Sequence, residues 1–204
     1  KVGSRIGEGE FGVVQEVTTR DGQPRAEKIQ EIRDMYTAEL KALCLSQVSD
    51  NNHIIGYVDY KYDGSKFYIL MEKLDNRVSS FTRENISIEI VNQLASQISN
   101  ALLHVSKAGW SHNDVKPDNV LFQKTEDGHR FVLADFGNAT PKGQQHDTGT
   151  PFYMPPEAPN IGYGHDAWSF GVLLHELIIG RKPIITSLEG SAERSDDFIY
   201  INND

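Results

Sequence analysis

The chain has 204 residues, 38% hydrophobic content and a formal net charge of −9, which is enough to bury a core as one domain or as two small lobes sharing a cleft. The acidic balance argues against nonspecific binding to nucleic acid or anionic membranes, because phosphate backbones and anionic headgroups attract basic faces. A single cysteine, Cys44, excludes an intramolecular disulfide and a cysteine zinc cluster, and no apolar run reaches the roughly 18 residues of a membrane span.

Strands come first. The alternating runs RIGEGEFGVVQEV and QPRAEKIQ flank a turn at Arg20, Asp21 and Gly22, a hairpin pattern around a D-G pair. RDMYTAELKALCLSQV then places Met35, Leu40, Leu43 and Val48 at mostly helical spacing, with Asp50-Asn51-Asn52 as a stop. HIIGYVDYKYDGSKFYILMEKL returns to β-branched and aromatic residues around Asp63-Gly64, a second hairpin. From Ile88 to Ala108, the positions Ile90, Leu94, Ile98, Ala101, Leu102 and Val105 predict a long amphipathic helix. VLF and FVLAD flank Lys124 to Arg130 as a small hairpin, and a polar, Gly-containing loop runs from Gly137 to Thr150. Asp166 to Ile179 reads as a buried helix stopped by Gly180 and Pro183, with a polar tail from Ser187.

Gly7-Glu8-Gly9-Glu10-Phe11-Gly12-Val13-Val14 fits G-x-G-x-x-G-x-V. Such glycines mark a twisted hairpin turn as readily as a phosphate site. A strand rather than a helix follows, which favours a flap over a nucleotide's phosphates. Alternation puts Ala26 and Lys28 on one strand face, from which an ammonium can reach a phosphate; Glu39, or more weakly Glu31, is the acid that could hold it. SHNDVKPDN, residues 111–119, supplies Asp114 to accept or orient a hydroxyl proton, Lys116 to offset charge on a moving phosphoryl group, and Asn119 as an oxygen ligand for a metal. Asp135 in Asp135-Phe136-Gly137 provides a second hard oxygen ligand, a pair suited to Mg²⁺.

In order and interval these motifs resemble the eukaryotic-like protein kinase superfamily from about Gly7 to Pro183. The resemblance implies an α+β, bilobal protein-kinase fold within a single domain, with a trimmed N-lobe (1–72) and a reduced, mainly helical C-lobe (73–204). ATP would lie in the cleft with Mg²⁺ on Asn119 and Asp135. Gly7, Gly9 and Gly12 would cover the phosphates and Lys28 would pair with Glu39. Val14, Ala26 and Leu121 would sandwich adenine; Met71 would be the gatekeeper, with Glu72, Lys73 and Leu74 as the hinge. Leu43, His112 and Phe136 would form an internal apolar stack, and Asp166 would bind backbone amides of the loop containing Asp114. Lys116 together with Gly149-Thr150-Pro151-Phe152-Tyr153 resembles the serine/threonine branch, and Met154-Pro155-Pro156-Glu157 resembles the family's A-P-E motif.

There are departures. Asn113 stands where most relatives carry an arginine that gathers an activation-loop phosphate, so the expectation is activity without that phosphorylation. Lys28 and Glu39 lie eleven residues apart, a short interval, and 47 residues follow Glu157. This reduction resembles minimal kinases injected into host cells by bacterial type III secretion, including a family that phosphorylates the host ninety-kilodalton heat-shock chaperone. The resemblance therefore implies a soluble, monomeric, constitutively active virulence effector, secreted by a bacterium into host cytoplasm and acting on a host protein with ATP. Two other functions stay open: a pseudokinase-like scaffold, and a small-molecule kinase.

Overall fold

The structure, a computed structural model, describes residues 2–9, 12–31, 35–74, 76–144, 149–155 and 164–183. The expected tail from Ser187, Glu157 and the tip of the glycine-rich segment at Glu10 and Phe11 lie outside these residues.

Five antiparallel strands open the fold. They are β1 (Val2–Gly9), β2 (Gly12–Thr18), β3 (Pro24–Glu31), β4 (Tyr57–Tyr62) and β5 (Lys66–Met71), in the order β1-β2-β3-β5-β4. The two D-G turns form as the sequence predicts. Gly22 and Gly64 take φ of 81° and 98°, and the Asp63 carboxylate accepts from the backbone N–H groups of Ser65 and Lys66 at 3.1 and 2.8 Å, which pulls its pKa down to about 2. Between β3 and β4 runs helix α1 (Met35–Val48).

Helix α2 (Ile88–Lys107) starts where the Ser87 hydroxyl accepts from Ile90 N at 3.3 Å, and buries Val91, Leu94, Ile98, Ala101 and Val105. These recur at three and four, the spacing of one helical face, and the valine, leucine and isoleucine side chains each contribute roughly 1.5–3 kcal/mol on leaving water completely. The face packs on a three-stranded sheet of β6 (Asn76–Arg77), β8 (Val120–Thr125) and β9 (Gly128–Leu133), order β6-β8-β9. Two short strands, β7 (Trp110–Ser111) and β10 (Thr140–Pro141), pair to hold the loops between them. Helix α3 (His165–Ile179) follows, closed by Gly180 at φ 79°.

One apolar core joins the two halves. Ile55 N donates to Leu133 O at 2.9 Å and Leu133 N to His53 O at 2.8 Å, so the approach to β4 is stitched to β9. Leu45, Val48, Ile54, Leu94, Phe131 and Leu173 belong to the same buried cluster. Cys44 is buried there with no exposure, and burial pushes its thiol up to about 12.

One expectation fails inside α1. Leu43 is 48% exposed and does not join the stack, whereas Leu45 is 4% exposed. Two residues turn a helix by roughly 200°, so the two leucines face opposite ways. The buried face is set by Ala42, Leu45 and Val48. The other members meet as expected: the His112 and Phe136 rings contact edge-on at 4.7 Å.

Candidate active site

Asp114 sits at the centre, 3% exposed, on the loop between β7 and a 3₁₀ turn at Pro117–Asn119. Its Oδ1 accepts from the Thr150 hydroxyl at 2.7 Å and from Thr150 N at 3.1 Å. Its Oδ2 accepts from Asn119 Nδ2 and from Lys116 Nζ, both at 2.9 Å. Lys116 also donates to the Thr150 hydroxyl at 2.6 Å. A buried carboxylate with this many donors is charge-compensated and fixed in orientation.

The loop itself is held from three sides. Asp166, in the first turn of α3, accepts from His112 N and Asn113 N at 2.7 Å each, so it anchors the loop and is no solvated helix cap. His112 accepts from Asp114 N through Nδ1 at 3.2 Å and contacts Ala134 O through Nε2 at 2.9 Å, partners that set the Nε2–H tautomer. Asn113 takes a left-handed φ of 67°, which asparagine tolerates better than most residues. Its Nδ2 donates to Asn138 O and to the Thr140 hydroxyl, both at 2.9 Å.

Asp135 also has a positive φ, 62°, stabilised by its own carboxylate accepting from Gly137 N at 3.1 Å. Lys28 Nζ meets Asp135 Oδ1 at 2.5 Å. Burial acts to raise the Asp135 pKa, but the adjacent ammonium and its hydrogen bond outweigh it and hold the carboxyl below its usual value. Among the described residues Asp135, not Glu31, is the acid on Lys28: Glu31 is exposed at the end of β3. The side chain of Glu39 lies outside the described residues.

Lys28 and Asp135 border a cavity of about 350 Å³, also lined by Val14, Ala26, Met71, Glu72, Leu74, Asn119 and Leu121. The pairing of Ala26 with Met71 and Lys28 with Ile69 across β3 and β5 sets this wall. Glu72 also braces the fold. Its carboxylate takes a bidentate contact from Arg130 at 2.9 and 3.0 Å and accepts from Gly56 N at 2.8 Å, tying the segment after β5 to β9. Gly7 and Gly9 lie in β1, and Gly12 opens β2. A Cβ on Gly7 would stand 2.9 Å from Arg77 Nη2, and on Gly12, at φ 123°, 2.0 Å from Ile29 O. Gly12 needs glycine for both its space and its φ, whereas at Gly7 the flexible Arg77 side chain can move aside.

The sequence reading missed several cavity residues. Lys41 and Leu45 reach it from α1, Ile6 from β1, and Arg77 and Asp118 from the far side. Lys41 Nζ donates to Gly137 O at 2.5 Å. The i, i+4 spacing of Lys41 and Leu45 was the available signal, obscured by leucines at 40, 43 and 45 that lie all round the helix. A second cavity of about 520 Å³ adjoins the first through Asp118 and is lined by Arg83, Tyr153, Glu176 and Lys182. Burial and the hydrogen bond to Glu176 push the Tyr153 phenol up.

A family model for the protein kinase domain matches residues 1–200. The chain belongs to the protein kinase family. It is 29% identical over 196 residues to calcium-dependent protein kinase 5 of Plasmodium falciparum (isolate 3D7), covering 88% of this chain and 34% of that one. It is 30% identical over 201 residues to the Wee1-like protein kinase of Oryza sativa subsp. japonica (90% and 38% covered), and 33% over 141 residues to human serine/threonine-protein kinase ULK3 (64% and 30%). The chain thus spans about a third of the length of these curated relatives.

Protein kinases use ATP and a divalent metal, generally Mg²⁺, and the donor set fits both. Asn119 commits its Nδ2 to Asp114, through the carbonyl at 2.8 Å and the carboxylate, which leaves Oδ1 as its acceptor. Asp135 engages Lys28 and Gly137 through Oδ1, which leaves Oδ2. Two hard oxygens beside an ammonium suit a metal that takes its remaining ligands from phosphate and water. Among the described residues there is no cluster of three or more His, Cys, Asp or Glu able to hold a metal alone, and no helix long and apolar enough to cross a membrane.

Proposed function

We propose that this kinase domain transfers the γ-phosphoryl group of ATP to a Ser or Thr hydroxyl of a protein substrate. The observation that carries this reading is the four-residue lock of Asp114, Lys116, Asn119 and Thr150 beside the Lys28–Asp135 pair. Asp114 orients the acceptor hydroxyl and accepts its proton. Lys116 compensates charge on the moving phosphoryl group, and Lys28 binds a nucleotide phosphate. Asn119 and Asp135 hold Mg²⁺, which when bound neutralises phosphate charge. Met71, Leu74, Val14, Ala26 and Leu121 form the base-binding end, with N-lobe and C-lobe meeting near residue 72.

Activity without activation-loop phosphorylation is part of the reading. Asn113 cannot pair with a phosphate as an arginine would; instead its amide already pins Asn138 and Thr140, directly after the Asp135 turn. The role of a secreted bacterial effector acting on a host chaperone rests on the resemblance in spacing alone, and identification of the substrate tests it.

The deciding experiment is phosphate incorporation from γ-labelled ATP into lysate proteins by the full chain and by Asp114→Ala and Asp135→Ala, with folding checked by circular dichroism. Labelling that disappears in both variants supports the assignment; labelling unchanged in the double variant overturns it. Mass spectrometry of the sites lost in Asp114→Ala identifies the substrate, and absence of the ninety-kilodalton chaperone from a host lysate's labelled set removes the chaperone reading.

A further inference from the structure

Two separate elements hold Glu72. Its backbone N–H donates to Gly56 O at 2.8 Å and its Oε1 accepts from Gly56 N at 2.8 Å, a reciprocal pair that joins the segment after β5 to the residue before β4. From β9, Arg130 grips the same carboxylate with Nη1 on Oε2 at 2.9 Å and Nη2 on Oε1 at 3.0 Å, while its Nε donates to Asn52 O at 2.9 Å. The two side chains are 25% and 24% exposed, so water screens the pair only in part.

Glu72 also lines the 350 Å³ cavity, with Met71 and Leu74. Its N–H is taken by Gly56, so the backbone group that residue 72 can offer a ligand is its carbonyl oxygen. Among the described residues neither Glu72 O nor Leu74 N makes a backbone hydrogen bond. Three hydrogen bonds on the carboxylate and one on the N–H hold residue 72 at both ends, and its carbonyl keeps one direction. A hydrogen bond weakens steeply when misaligned, so that direction bears on what the cavity reads. The planar guanidinium fork fixes a carboxylate in two dimensions where an ammonium supplies a point charge.

We propose that Arg130 is a positioning residue for the nucleotide base: through the Glu72 carboxylate it aims the Glu72 carbonyl at the amino group on the edge of adenine. This rests on the ATP reading of the cavity. It moves a determinant of base selectivity onto β9, to a side chain outside the cavity lining.

The test is titration of the full chain, as wild type, Arg130→Gln and Arg130→Lys, with ATP and separately with purine riboside triphosphate, which lacks only the 6-amino group, each with Mg²⁺. Wild type is expected to favour ATP by about fivefold to tenfold, the range for one neutral hydrogen bond. Arg130→Gln should lower ATP affinity about fivefold and leave that of the purine analogue within about twofold, with Arg130→Lys in between; if Arg130→Gln melts below the assay temperature, Arg130→Lys carries the comparison. Equal losses for both nucleotides would mean a structural brace only, and unchanged ATP affinity would mean an idle ion pair; either overturns the proposal, as does a wild type that binds both nucleotides equally. Wild-type protein that binds neither overturns the ATP reading itself, an outcome distinct from these.

Discussion

The Thr150 hydroxyl donates to Asp114 Oδ1 at 2.7 Å while its backbone N–H donates to the same oxygen at 3.1 Å. A residue 36 positions downstream thereby fixes the rotamer of the carboxylate proposed to face the acceptor hydroxyl. Lys116 closes the triangle, reaching Thr150 Oγ1 at 2.6 Å and Asp114 Oδ2 at 2.9 Å.

Thr150→Val is expected to lower kcat by about tenfold to a hundredfold, the range that corresponds to losing one charge-assisted hydrogen bond of about 1.5–3 kcal/mol. Thr150→Ser should keep most of the rate. Steady-state kinetics on both variants checks it, with KM for ATP expected to change little, because Thr150 does not line the nucleotide cavity.

Lys28→Met removes the cation that holds the Asp135 carboxyl low, so the pH dependence of stability should change in a defined direction. A carboxyl with a depressed folded pKa contributes stability that is present above its ordinary value of 3.8 and lost as pH falls below it. Without Lys28, burial dominates, the Asp135 pKa rises, and the ionised carboxylate becomes a liability at neutral pH. The expected outcome is nucleotide-dependent activity lost, and a melting temperature that falls less for the variant than for wild type when the buffer is taken from pH 5 toward pH 3. Differential scanning fluorimetry across that range reads it.

Asn113→Ala should destabilise the domain by about 2–3 kcal/mol, since it deletes one buried and one part-buried hydrogen bond and leaves Asn138 O without its donor. Asn113→Arg should be worse, because the position is 1% exposed and burying a guanidinium there costs its desolvation. Urea unfolding compares them. Phosphatase treatment of wild type is expected to leave its activity within about twofold, in keeping with a segment anchored by an amide rather than by a phosphate.

The register of α1 has its own check. Leu45→Ala is expected to cost about 2–5 kcal/mol and Leu43→Ala under about 1 kcal/mol, because Leu45 is 4% exposed and Leu43 48%. Cys44, fully buried with its thiol pushed up to about 12, should resist iodoacetamide at pH 8 until denaturant is added. Equal costs for the two leucines would place α1 in another rotation.

Much of this was legible in the chain itself. The hairpins follow from D-G turns whose glycines take φ no other common residue takes cheaply, and α2 follows from a three-and-four spacing that puts its buried residues on one stripe. Asp114, Lys116, Asn119 and Asp135 were readable because short loops carry their chemistry within a few residues. Long-range partners were not. That Asp166 holds amides of the Asp114 loop, 53 and 54 residues away, was expected only through the family resemblance and not from any local pattern, and that Asn113 binds Asn138 and Thr140 depends on how loops are brought together in the packed fold.

Sequence alone determined the order of the hairpins and the three long helices, the family likeness and the identity of the polar groups, because turn chemistry, periodicity and motif spacing are local properties; the short strands β6, β7 and β10 were not among them. Tertiary structure decided which side of α1 faces the cavity, and therefore that Leu45 and Lys41 line it and Leu43 does not. A helix with leucines all round has no intrinsic inside. Its rotation is set only when β4 and the turn after Asp135 pack against it, and that same packing places a second lysine at Gly137.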